Sequence, residues 1–154
     1  MSHLVEVDNR SGMPLDESAY AALASRLLVR TGLPEGELGI AFVAPDEMTR
    51  LNREHMGRTG STDVLSFPLD AAVSEPGNVA GSPLLLGDVV ICPQTGLSLA
   101  GAAGTPPERE LCLLLIHGIL HLAGYDHETD NGEMDREQVL LHAELCGNGP
   151  ESTQ

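Results

Sequence analysis

The side chains best suited to chemistry are three histidines within eleven residues: His117, His121 and His127. Residues four apart on a helix share a face one turn above each other, so the His117 and His121 imidazoles can point at a common ion. Gly124 then lets the chain turn back, and His127 can approach from the following loop as a third ligand. A fourth position stays open for water. An open position marks catalytic rather than structural zinc, and water at such a site reaches a pKa near 7. The expectation is one Zn2+ on His117, His121 and His127. Any one of them alone would read as a surface or core residue; together, at this spacing, they do not. His3, His55 and His142 lack such company.

Several elements must hold these ligands in place. Pro107 suits the first turn of a long helix running through Leu111, Leu114 and Leu115 to about Ala123, with Gly124 as its left-handed stop. The metal-ligand helix therefore falls near residues 107–123. Leu4, Val5 and Val7 suggest a first strand closed by a turn at Asp8-Asn9. Asp16 can cap a helix over 19–29 that Gly32 and Pro34 stop. Leu38, Ile40, Phe42 and Val43 make a second strand, and Asp46 reads as the cap of a short helix ending near Gly57. Asp63 to Phe67 is a short strand closed by Pro68. Leu84-Leu85-Leu86 and Val89-Val90-Ile91 flank Gly87-Asp88, as a central strand with a bulge would. Residues 71–83 read as a surface loop, 101–107 as a linker and 131–145 as a final helix. The fold class is α+β, a mixed sheet packed with helices. Residues 1–146 form a single domain, and 147–154 are expected to be a disordered tail.

Composition narrows the partners. The 154 residues carry a formal charge of −15, and all eight basic residues are arginines. Indiscriminate nucleic-acid binding wants a cationic surface, so this balance argues against it. A local arginine or a bound dication can still focus field in one cleft, so RNA is not excluded as substrate. No apolar run is long enough for a membrane helix. The start, Met1-Ser2-His3-Leu4, does not read as a signal peptide, so the expected location is cytoplasmic. Cys92, Cys112 and Cys146 are odd in number and widely spaced, as reduced buried thiols are.

The histidine spacing is shared with the metzincin proteases, whose H-E-x-x-H-x-x-G-x-x-H motif places a general base directly after the first histidine. Here that position is Gly118, which disfavours peptide hydrolysis by that route.

The segment His117-Gly118-Ile119-Leu120-His121-Leu122-Ala123-Gly124-Tyr125-Asp126-His127 resembles the H-G-x-L-H-L-x-G-Y-D-H signature of the YbeY family of bacterial endoribonucleases. Residues 61–68, Ser-Thr-Asp-Val-Leu-Ser-Phe-Pro, resemble its P-T-[ND]-V-L-S-F-P block with Ser61 in place of proline. Leu86-Gly87-Asp88-Val89-Val90-Ile91 resembles its L-G-D-I-x-I strand. With Leu51-Asn52, the likeness covers most of residues 35 to 145. It implies a zincin-like fold and a zinc-dependent, single-strand-specific endoribonuclease maturing the 3′ end of small-subunit ribosomal RNA. Ribosomal RNA and the small ribosomal subunit are the partners it implies. One departure touches mechanism. Many members carry an arginine four residues after the asparagine matching Asn52, and this chain has Met56 there. Arg58, two residues on, could take its part in binding phosphate. Asp126 could orient a ligand histidine or accept a proton, and equally could cap the helix end. Thr62, Asp63 and Ser66 could bind substrate or serve turn and strand-end hydrogen bonds. Two other readings stand beside this one: a metal-dependent hydrolase of a small amide or peptide, and a non-catalytic ribosome assembly factor.

Overall fold

The computed structural model describes residues 3–69, 84–104, 106–126 and 128–147. The expected loop over 71–83, the tail beyond Gly147 and the third histidine, His127, lie outside the described residues.

Four strands form one mixed sheet: β1 (Leu4–Arg10), β2 (Glu37–Val43), β3 (Val64–Pro68) and β4 (Leu85–Ile91), in the order β1-β2-β4-β3. β1 and β4 run parallel to β2, and β3 runs antiparallel to β4. Parallel neighbours need a crossover, which α1 (Glu17–Arg30) supplies between β1 and β2. Asp16 caps α1 as expected, its carboxylate accepting from the Ala19 backbone N–H at 3.2 Å.

β4 shows how local sequence sets the core. Its buried Val89 and Ile91 alternate regularly, but Leu86 joins the same core one residue out of phase. The register slips here: Glu37 faces Leu85, while Leu38 faces Gly87. Gly87 takes a φ of 146°, where a Cβ would meet the Phe67 carbonyl oxygen at 2.6 Å. The bulge expected at Gly87-Asp88 is therefore present, and it lets Leu86 turn inward.

On one face, Leu38, Ile40 and Phe42 of β2 pack with Leu23, Leu27 and Leu28 of α1 and the apolar side of α4 (Pro107–Leu122). On the other, Val43, Leu65 and Val90 pack under Met48 of α2 (Pro45–Met56). α5 (Glu133–His142) and a π-helical turn, Ala143–Gly147, follow α4. Among the described residues, no helix is long and apolar enough to cross a membrane.

Four expectations need correction. β1 continues through Asp8-Asn9 to Arg10, and the turn comes after it, where Asn9 accepts from the Ser11 N–H and donates to the Met13 carbonyl. Asp46 is not the cap of α2; Ala44 holds that place, Pro45 opens the helix and Asp46 sits in the first turn, near the positive end of the helix dipole. Residues 101–103 are not linker but the end of α3 (Pro93–Ala103). The final α-helix stops at His142, and Gly147 belongs to the π-turn rather than to a tail.

The face under α2 is only partly covered. A groove of about 1010 Å³ remains there, bounded by Glu6, Asp8, Glu47 and Asp88 together with Arg10 and His55. Arg10 is paired with both Glu47 and Asp8, and this hydrogen bonding holds the Glu47 carboxyl below its ordinary range. Asp88 lies across Gly39, which is bare because a Cβ there would collide with its carboxylate. Burial pushes the Asp88 pKa up. A carboxyl with a raised folded pKa stabilises the fold fully below its unfolded pKa, and that contribution is lost as pH rises through the folded pKa. Ionised Asp88 therefore costs stability at neutral pH. Asp88→Asn is expected to raise Tm by about 1 °C at pH 7 after solvent screening is allowed for. The gain should vanish below about pH 4, which thermal melts across that range check.

Candidate functional site

The α4 sequence has two jobs, and its periodicity separates them. Leu111, Leu115, Ile119 and Leu122 turn into the core with Gly118 against the sheet. A Cβ on Gly118 would lie 2.5 Å from Val89 Cγ1, so only glycine lets the helix approach this closely. The Ser66 hydroxyl of β3 donates to the Gly118 carbonyl at 2.9 Å, a further tie between helix and sheet. His117 and His121 project from a neighbouring face and are half-buried.

Their Nε2 atoms stand 3.2 Å apart, with ring planes inclined by 79°. Each Nδ1 has its own partner: Gln138 Oε1 of α5 for His117, at 3.1 Å, and the Tyr125 carbonyl for His121, at 3.0 Å. A carbonyl can only accept, so Nδ1 of His121 carries the proton and its Nε2 presents a lone pair. With its amide oxygen toward the ring, Gln138 favours the same tautomer on His117. Two acceptor nitrogens thus converge on one point, the arrangement of a metal-ligand pair backed by outer partners. Two ligands of a tetrahedral zinc with bonds of about 2.0–2.1 Å sit about 3.3 Å apart, which this pair fits. Among the described residues, no set of three His, Cys, Asp or Glu stands ready to hold one ion.

The supports run further back. Gly124, at φ 102°, ends α4 and brings the Tyr125 carbonyl under His121. Asp126 Oδ1 accepts from the Glu128 N–H at 3.1 Å, and its carbonyl accepts from Thr129 and Asp130. These bonds shape the turn after α4. Asp130 in turn accepts from the N–H groups of Gly132 and Met134 and so starts α5, the helix that delivers Gln138.

The other expected site residues are spread out. Ser66 reaches α4, but through the tie to Gly118. Asp63 accepts from the Cys92 N–H at 2.9 Å and lies 3.7 Å from the Cβ direction of Gly96, beside the start of α3. Burial first, and the nearby Asp63 charge second, push Glu110 up in pKa. That places Thr62 and Asp63 near the first turn of α4, about 10 Å along the axis from His117 by helical rise. Arg58 is exposed just beyond the left-handed Gly57 cap of α2. Asn52 is buried and donates to the Gly60 carbonyl at 3.0 Å, fixing the connection to β3. Gln138 was not singled out from the sequence. Its signal was its place on a helix following the histidine loop, and a lone glutamine on a polar helix carries no spacing rule.

Comparison with known proteins bears on the fold and the family. The solution structure of TM1509 from Thermotoga maritima superposes with a TM-score of 0.62 at 27% identity, covering 97% of this chain and 93% of that one. Endoribonuclease YbeY of Renibacterium salmoninarum is 46% identical, covering 97% of this chain and 98% of its own length. Those of Beutenbergia cavernae and Salinispora tropica are each 41% identical, over 92% and 94% of this chain. The family profile described as Endoribonuclease YbeY matches residues 6–145, from β1 through the histidine helix to the π-turn, and the chain belongs to that family.

Proposed function

We propose that the chain is a zinc-dependent endoribonuclease of zincin-like architecture, with His117, His121 and His127 holding one Zn2+. Its substrate would be single-stranded ribosomal RNA, with the 3′ end of small-subunit RNA and the small ribosomal subunit as its setting. Hydrolysis of RNA phosphodiester bonds is the activity that family membership carries. The observation that carries the metal is the 3.2 Å approach of two Nε2 atoms whose tautomers are set from behind. When bound, such a cation supplies a Lewis acid that makes water acidic near pH 7 and offsets charge developing on a phosphoryl oxygen.

The chain's own residues supply placement. Gln138 and the Tyr125 carbonyl hold the two rings so that ligand lone pairs meet without rearrangement. Asp126 accepts from the Glu128 N–H in the turn after α4, and the exposed Arg58 is placed to engage the phosphate backbone electrostatically. Gly118 counts against a peptidase, since the position of a protease base faces the sheet with no room for a carboxylate.

The test is cleavage of a ribosomal RNA fragment carrying an unprocessed 3′ end, before and after chelation and after reloading with zinc. Activity lost on stripping and restored by reloading is expected. Unchanged cleavage by metal-free protein would overturn the metal assignment. Rescue of ribosome maturation in cells by a protein that cannot cleave would favour the assembly-factor reading.

Gln138→Leu removes the His117 Nδ1 partner while keeping the side chain's bulk. Zinc affinity is expected to fall about 10–100-fold. The melting temperature of the metal-free protein should stay within about 2 °C. Isothermal titration beside apo-protein melts separates the two effects; equal losses in both would make Gln138 a packing residue only.

A further inference from the structure

A second groove, of about 1030 Å³, lies between α1, the start of α4 and the chain's last turn. Two thiols stand in its wall: Cys112, one turn into α4, and Cys146, in the π-turn. Both are half-buried, and their side chains interact with each other. Thiols that meet from segments so distant in sequence are the starting geometry of a disulfide. The third cysteine, Cys92, is fully buried between β4 and α3, close to the Thr95 and Ser61 hydroxyls.

We propose that Cys112 and Cys146 form an oxidation site, converted by hydroperoxides into a disulfide that pins the C-terminal π-turn to the histidine helix. The two thiols shift each other's pKa in opposite directions, burial raises both, and the Arg26 charge favours the thiolate of each. Either thiolate can attack and the other thiol resolve, and attack by Cys112 illustrates the balance. The Cys112 sulfur attacks one peroxide oxygen, the O–O bond breaks, and a sulfenic acid and hydroxide form. The Cys146 sulfur then attacks the Cys112 sulfur, expelling its hydroxyl, and the Cys146 proton ends in water. Two thiols and one hydrogen peroxide give one disulfide and two waters.

The bond would enclose residues 112–146 in one covalent loop. That loop contains His117, His121 and His127, the Asp126 turn and the whole of α5 with Gln138. Restraining the unfolded chain over this span should raise Tm by roughly 5–10 °C.

The experiment treats the full chain with hydrogen peroxide and reads intact mass, peptide mass and melting temperature, before and after dithiothreitol. The expected result is a loss of two hydrogens, a linked peptide pair containing Cys112 and Cys146, and a Tm rise that reductant reverses. Cys92→Ser should behave like the parent, and Cys112→Ser or Cys146→Ser should abolish the linked pair. Oxygen addition at Cys112 without linkage, a link through Cys92 or a covalent dimer would each overturn the assignment. The mass of the unsubstituted protein decides this even if a variant folds poorly.

Discussion

His121→Ala is expected to lower RNA cleavage by at least about 10³-fold, the loss that follows when several kcal/mol of charge stabilisation disappear from a phosphoryl transition state. Both ring nitrogens of His121 are engaged, Nε2 facing His117 and Nδ1 on the Tyr125 carbonyl. Truncation therefore removes a proposed ligand together with the hydrogen bond to the Tyr125 carbonyl. The fold should survive, because His121 is only half-buried and the core side of α4 is untouched. Elemental analysis of purified protein beside an RNA cleavage time course checks it. Full cleavage by a metal-free His121→Ala protein would end the three-histidine account.

The second large effect is at Gly118. Gly118→Glu would complete the metzincin pattern on paper, yet it is expected to abolish folding and yield no peptidase. Even the methyl of Gly118→Ala would lie 2.5 Å from Val89 Cγ1 and 3.3 Å from Ser66 Oγ. Valine is stiff about χ1 and sits on a central strand, so relief must come from moving the helix. Such overpacking costs about 1–3 kcal/mol, or roughly 3–10 °C of Tm in a chain this size. The Ser66 bond to the Gly118 carbonyl would stretch at the same time. Circular dichroism melts of Gly118→Ala and a soluble-expression assay of Gly118→Glu test the pair; a wild-type Tm for the first would show that the sheet yields.

Much of this arrangement is written in residue types. Proline at the start and glycine after the end delimit α4, and the four-residue histidine spacing puts both rings on one face. The glycine between two apolar triplets marked the β4 bulge. α3 escaped because Gly96, Gly101 and a run of small residues have weak helical preference. It forms because Gly96 lets it approach Leu114 of α4, where a Cβ would come within 2.7 Å of Cδ1. Thr62, Asp63 and Ser66 are close in sequence, but only Ser66 lies on β3, and extended chain advances about 3.3 Å per residue. Ser66 therefore meets the histidine helix while Asp63 lies beside Cys92 and α3. No local pattern reports which end of a helix a strand will cross.

The acid-lined groove under α2 gives the molecule a repulsive back. Glu6, Asp8, Glu47 and Asp88 outweigh Arg10 and His55 there, on the side of the sheet away from α4. A polyanion drifting toward that groove meets like charge at low ionic strength. At physiological salt the field is damped within about 8 Å, so the repulsion acts only on strands already near the surface. The groove, although roomy, is therefore a poor seat for a phosphate backbone.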